Sequence, residues 1–115
     1  MHPRMKAQNQ DDAIVTIHED QVIVERVDQK TAVVSWKDLE EIKVINSDSK
    51  VLAQGIWLVL IDSSNQCFIP HNTESFNKAI QIASKLDGFY INNLEKALSS
   101  SGAESFILWQ RSPRD

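Results

Sequence analysis

The sequence predicts an α+β protein: a mainly antiparallel meander of about six strands, followed by two helices and a final strand. Short β-branched runs separated by polar breaks of about three residues fill the first half of the chain. Such breaks suit antiparallel hairpins and are too short for parallel crossovers. After Pro70 the apolar residues change to a helical period, and near the C-terminus the run FILWQ returns to a strand-like texture.

The runs AIVTIH, QVIVERV and TAVVSW supply the first three strands, with turns at His18-Glu19-Asp20 and Asp28-Gln29-Lys30. Residues 37–40 read as a turn or single helical turn, because Leu39 and Ile42 have helical spacing while Ile42 and Val44 have strand spacing. A strand over 41–45 follows, then a polar loop, NSDSKVLAQG. GIWLVLI is the most apolar run and the best central strand. The turn-forming cluster at 62–65 returns the chain as a hairpin strand over 66–69, which Pro70 should end because it cannot donate to a ladder.

Asn72 or Thr73 can cap the next helix, and Glu74 suits the positive end of its dipole. Phe76, Ala79, Ile80, Ala83 and Leu86 fall on one face, and Gly88 provides a stop. In the second helix Asn92 and Glu95 have capping-box spacing, with Leu94, Ala97 and Leu98 as the apolar stripe. Ser99-Ser100-Ser101-Gly102 ends it before the strand SFILWQ. Residues 1–12 read as a flexible polar leader without the apolar stretch of a signal peptide, 13–111 as a single domain, and 112–115 as a tail.

Charge narrows the functional classes. The formal net charge is −4; residues 1–12 balance and 111–115 carry +1, which leaves −5 on 13–110. Basic residues are scattered among acids, so the cation cluster that phosphate binding requires is missing, and neither nucleic acid nor an anionic membrane is expected as a partner. The longest apolar run, 56–61, is far below the roughly 20 residues of a membrane helix, so no insertion is expected. A single cysteine, Cys67, excludes an intrachain disulfide and suits a reducing cytoplasm.

Catalytic, cofactor and metal motifs are not expected. Cys67, His71 and Asp62 have the chemistry of nucleophile, base and orienting carboxylate, and a small hydrolase or transferase using Cys67 and His71 is the alternative reading. Four residues along a strand separate the thiol and imidazole by roughly 13 Å, however, against the hydrogen-bond reach the chemistry needs. His2, His18 and His71 show no ligand spacing, and no glycine cluster forms a phosphate loop. Trp36, Trp57 and Trp109 are expected to bridge sheet and helices with their indole N–H groups bonded. The residues expected at an interaction surface are Trp109 and Arg111, on one face of a terminal strand, with Glu40 and Glu41 in an acidic patch. That strand could pair with a second copy as a homodimer, or with another protein.

VVSWKDLEEIKV, then an apolar strand, a turn and CFIP before a helix, resembles bacterial pleckstrin-homology-like domains over residues 13–87. The second helix and FILWQ depart from that pattern. SWKDL, CFIP, LDGF, LEKALSS and FILWQR are also similar to a group of small bacterial proteins of unassigned function. The first resemblance implies a binding scaffold, and neither brings an active site. The basic lipid-phosphate pocket of some such domains is unmatched, since the first hairpin turn is the acidic His18-Glu19-Asp20. The expected function is therefore a non-catalytic protein-interaction module of a bacterial cytoplasm, one form of which is an immunity-type protein that neutralises a basic toxin.

Overall fold

A computed structural model of the chain describes residues 13–26, 30–47, 55–71, 73–100 and 104–111. The leader 1–12, the tail 112–115, the centre of the polar loop, Asn72 and Gly102 lie outside the described residues.

The architecture is α+β. Strands β1 (Ala13–Ile17), β2 (Gln21–Arg26) and β3 (Ala32–Ser35) form one antiparallel sheet in that order. Strands β4 (Glu41–Ser47), β5 (Gly55–Ile61), β6 (Gln66–Pro70) and β7 (Ser105–Gln110) form a second antiparallel sheet of order β6-β5-β4-β7. Helices α1 (Glu74–Ala83) and α2 (Ile91–Ser99) lie between β6 and β7 in the chain.

The antiparallel meander is shared between two sheets, and residues 36–40 show why. Trp36 and Leu39 carry side chains into the core, which twists the chain out of the first sheet through a 3-10 turn over Trp36–Asp38. The Trp36 N–H donates back to Asp20 O at 3.0 Å, while Glu40 N–H donates to Ile61 O at 2.8 Å. One turn therefore ends the first sheet and begins the second.

Alternation along the strands builds one core. Val22, Val24 and Val34 from the first sheet meet Ile42, Val44, Leu58, Leu60, Cys67, Ile69 and Leu108 from the second. Phe76, Ala79 and Ala83 of α1, with Leu94 and Ala97 of α2, close it. Each large aliphatic side chain removed from water contributes about 1.5–3 kcal/mol before entropy is counted.

Local chemistry explains several boundaries. Thr73 caps α1: its hydroxyl accepts from Phe76 N–H at 3.1 Å and donates to Pro70 O at 2.8 Å. α1 stops at Ala83 rather than running on to Gly88. A turn follows instead, and Gly88 (φ 92°) takes the left-handed conformation there, beside the Trp109 indole. α2 begins at Ile91 with Tyr90 as its cap, two residues before the predicted cap Asn92, because the side chain of Asn93 and the backbone of Tyr90 are tied to β7. Pro70 is the last residue of β6 rather than a stop after it, which an edge strand tolerates.

Candidate interaction surfaces

β7 pairs antiparallel with β4, and its register fixes where the expected site residues fall. Glu41 pairs with Gln110 and Ile42 with Trp109, but Lys43 pairs with Ile107, so Leu108 is the extra residue of a bulge. The bulge turns both Leu108 and Trp109 toward the core side. Trp109 Nε1 donates to Asp87 O at 2.9 Å, so this ring packs within the fold. Trp36 is bonded in the same way, its Nε1 donating to His18 O at 3.0 Å, and Trp57 is buried.

Arg111 is brought beside Glu40. Its Nε donates to Leu39 O at 2.9 Å and its Nη2 to Lys37 O at 2.6 Å, while its backbone N–H donates to Glu40 O. The Glu40 carboxylate stands 3.8 Å from Nε, a loose ion pair at the surface. The guanidinium thus ties the C-terminal end of β7 to the turn at 37–40. Around it opens a polar cleft of about 580 Å³, lined by Lys37, Asp38 and Glu40 on one side and residues 62–65 on the other. Asp62 Oδ1 accepts from Ser64 N–H at 2.7 Å and Asn65 N–H at 2.6 Å, which closes the β5–β6 turn. Trp109, Arg111, Glu40 and Glu41 are therefore neighbours in space, but the first two are engaged within the fold.

Cys67 and His71 are not brought together as a catalytic pair. Cys67 faces the core from β6, fully buried, and its thiol is pushed up from 9.0 to about 11. Burial is the main cause; the nearby Asp62 carboxylate adds to it and Arg26 opposes it. His71 lies beyond the end of β6 and packs edge-on against Phe76, with ring centroids 4.8 Å apart. No group of three or more His, Cys, Asp or Glu side chains among the described residues is arranged to hold a metal ion. None of the described helices is long and apolar enough to cross a membrane.

Two features escaped the sequence reading. The first lies on α2 and β7. Tyr90 (62% exposed), Ile91 (49%), Leu98 (41%) and Ile107 (38%) are four of the six exposed large hydrophobic side chains among the described residues. They share one region because Tyr90 N–H donates to Leu108 O at 2.8 Å and Asn93 Nδ2 to Ile107 O at 2.6 Å. Ile91 and Leu98 are seven residues apart and so lie on one helical face. Leu98 was expected in the buried stripe; instead Leu94 and Ala97 alone fill it.

The second is the side of the four-stranded sheet opposite Leu58 and Leu60, where Trp57 and Val59 are themselves buried, at 3% and 1% exposure. Cross-strand register aligns Phe68, Val59, Lys43 and Ile107 in one row, Pro70, Trp57, Ile45 and Ser105 in the next, and Gln66, Ile61, Glu41 and Gln110 in a third. The first two rows hold five apolar side chains and a proline, the composition of a covered sheet face rather than a wet one. The alternation of GIWLVLI hides this, since both faces of β5 are apolar.

No protein-family profile, curated protein or solved structure matches the chain. The likeness to pleckstrin-homology-like domains rests on the quoted motifs alone.

Proposed function

We propose that the chain is a non-catalytic protein-interaction module of a bacterial cytoplasm, docking through the α2–β7 surface. The observation that carries this reading is the exposure of Tyr90, Ile91, Leu98 and Ile107 on α2 and β7, two elements that the Tyr90 and Asn93 hydrogen bonds hold side by side. Isolated surface hydrophobics are ordinary, whereas a contiguous group marks a contact site. Tyrosine supplies the amphipathic anchor typical of such sites. The net charge of −5 on residues 13–110 favours a basic partner, steered electrostatically before the apolar contact forms. The buried, poorly ionised Cys67 and its separation from His71 weigh against the thiol-enzyme alternative.

Affinity capture from the native host tests this with two baits, the wild-type chain and the Ile91→Glu/Leu98→Glu variant. The proposal expects a basic protein that wild type retains and the variant loses. Equal capture by both baits, or none by wild type, would count against it.

A further inference from the structure

We infer that Asp87-Gly88, in the turn between α1 and α2, is a site of spontaneous covalent modification at which the native chain isomerises to isoaspartate. Attack by a backbone nitrogen on the preceding side-chain carboxyl needs an exposed carboxyl, a nitrogen free of hydrogen bonds, and no Cβ obstructing the approach. This turn meets all these conditions. Both residues are exposed, and the Asp87 carboxylate makes no hydrogen bond or ion pair with a described residue. The Gly88 N–H donates to no described residue, although its neighbour Phe89 N–H donates to Leu86 O at 3.2 Å. Gly88 stands in the left-handed region (φ 92°), and the nearest atom to where a Cβ would lie is on Trp109, 4.0 Å away.

The step balances without a cofactor. The Gly88 nitrogen forms a bond to Asp87 Cγ, and its proton leaves with the carboxyl hydroxyl as water, which closes a succinimide ring. Water then adds to either ring carbonyl. Opening at Cγ restores aspartate. Opening at the former main-chain carbonyl routes the backbone through Cγ and leaves the old carbonyl as a carboxylate. The water lost is regained, and no electron is transferred.

The Asp87 carbonyl at stake is the acceptor of the Trp109 indole N–H, at 2.9 Å. Isomerisation turns that peptide oxygen into a carboxylate oxygen and adds a methylene to the backbone shortly before Tyr90, whose N–H ties the start of α2 to Leu108 O. The lesion therefore falls on the joint between α2 and β7, whether or not that surface docks a partner. Asp62-Ser63 is the contrasting site. It also lies in a turn, but Asp62 Oδ1 accepts from Ser64 N–H at 2.7 Å and Asn65 N–H at 2.6 Å, which fixes the carboxylate on the nitrogens beyond Ser63. Ser63 also carries the Cβ that Gly88 lacks.

Ageing of the full chain at neutral pH and physiological temperature tests this, read by peptide mapping with electron-transfer fragmentation, which distinguishes the two linkages. Isoaspartate should accumulate at Asp87 in the native chain at a rate within about tenfold of that in the same chain unfolded in guanidinium, because the exposed turn reacts without unfolding. Asp62 should convert only in the unfolded chain. In proton–nitrogen spectra a second Trp109 indole resonance should grow in step with the isoaspartate fraction, while that of Trp36 stays single. Asp87→Glu keeps the charge and both backbone groups but disfavours ring closure, and should show neither change. An Asp87 that stays intact in the native chain while converting in the unfolded one overturns the inference. So does conversion of native Asp62 as fast as Asp87, or a Trp109 change that persists in Asp87→Glu.

Discussion

The thiol of Cys67 is a residue-scale case of burial deciding chemistry. Its folded pKa of about 11 lies above the ordinary 9.0, so the stabilisation it reports is complete below about pH 9 and disappears as pH rises through 11. Unfolding should therefore become easier across that window, by up to about 1.4 kcal/mol per pH unit from this group. Denaturant titrations of wild type and Cys67→Ala should show the slope in wild type and its reduction in the variant; identical slopes would contradict the assignment. Native Cys67 should also resist alkylation until the chain unfolds. Arg111 is the opposite case, a surface group whose role is internal. Replacing it with Leu removes two charge-assisted bonds to the Leu39 and Lys37 carbonyls and should lower the urea midpoint by the equivalent of about 1–2 kcal/mol. Its position on a terminal strand could be read from the sequence; its partners, some 72 and 74 residues away, could not.

At the scale of elements, capping and alternation were the readable signals. Thr73 was one of two predicted caps for α1, and its hydroxyl makes the expected bond; Thr73→Ala should cost about 1 kcal/mol in chemical denaturation. The start of α2 was misplaced by two residues, its cap being Tyr90 rather than Asn92, because its N-terminal turn is set by bonds to β7, which local sequence does not encode. The same pairing turned Leu108 and Trp109 to one side through a bulge, so strict alternation along FILWQ misjudged which residues face water. Asn93→Ala should free the Ile107 carbonyl at the β7 edge, costing about 1 kcal/mol and speeding amide exchange in β7 relative to β5. An unchanged exchange pattern would show that the edge is protected by something else.

Across the whole molecule, the α+β class, the order of elements, the apolar face of α1 and the burial of Cys67 on β6 follow from local patterning. The split into two sheets does not, since it depends on where Trp36 and Leu39 can bury together and on β7 returning to β4. The surfaces were least legible of all. Aromatic and charged residues drew attention to Trp109, Arg111, Glu40 and Glu41, whereas the fold engages Trp109 and Arg111 and exposes Tyr90, Ile91, Leu98 and Ile107 instead. What remains is a scaffold whose strand edges are tied to neighbouring elements and most of whose exposed large apolar side chains among the described residues lie on α2, on β7 and at Tyr90. Calorimetric titration of the captured basic protein against wild type and the Ile91→Glu/Leu98→Glu variant tests that account most directly. It predicts a loss of affinity of at least tenfold in the variant, with a less negative heat-capacity change as apolar contact is removed. Equal affinities and heat-capacity changes for the two chains would contradict it.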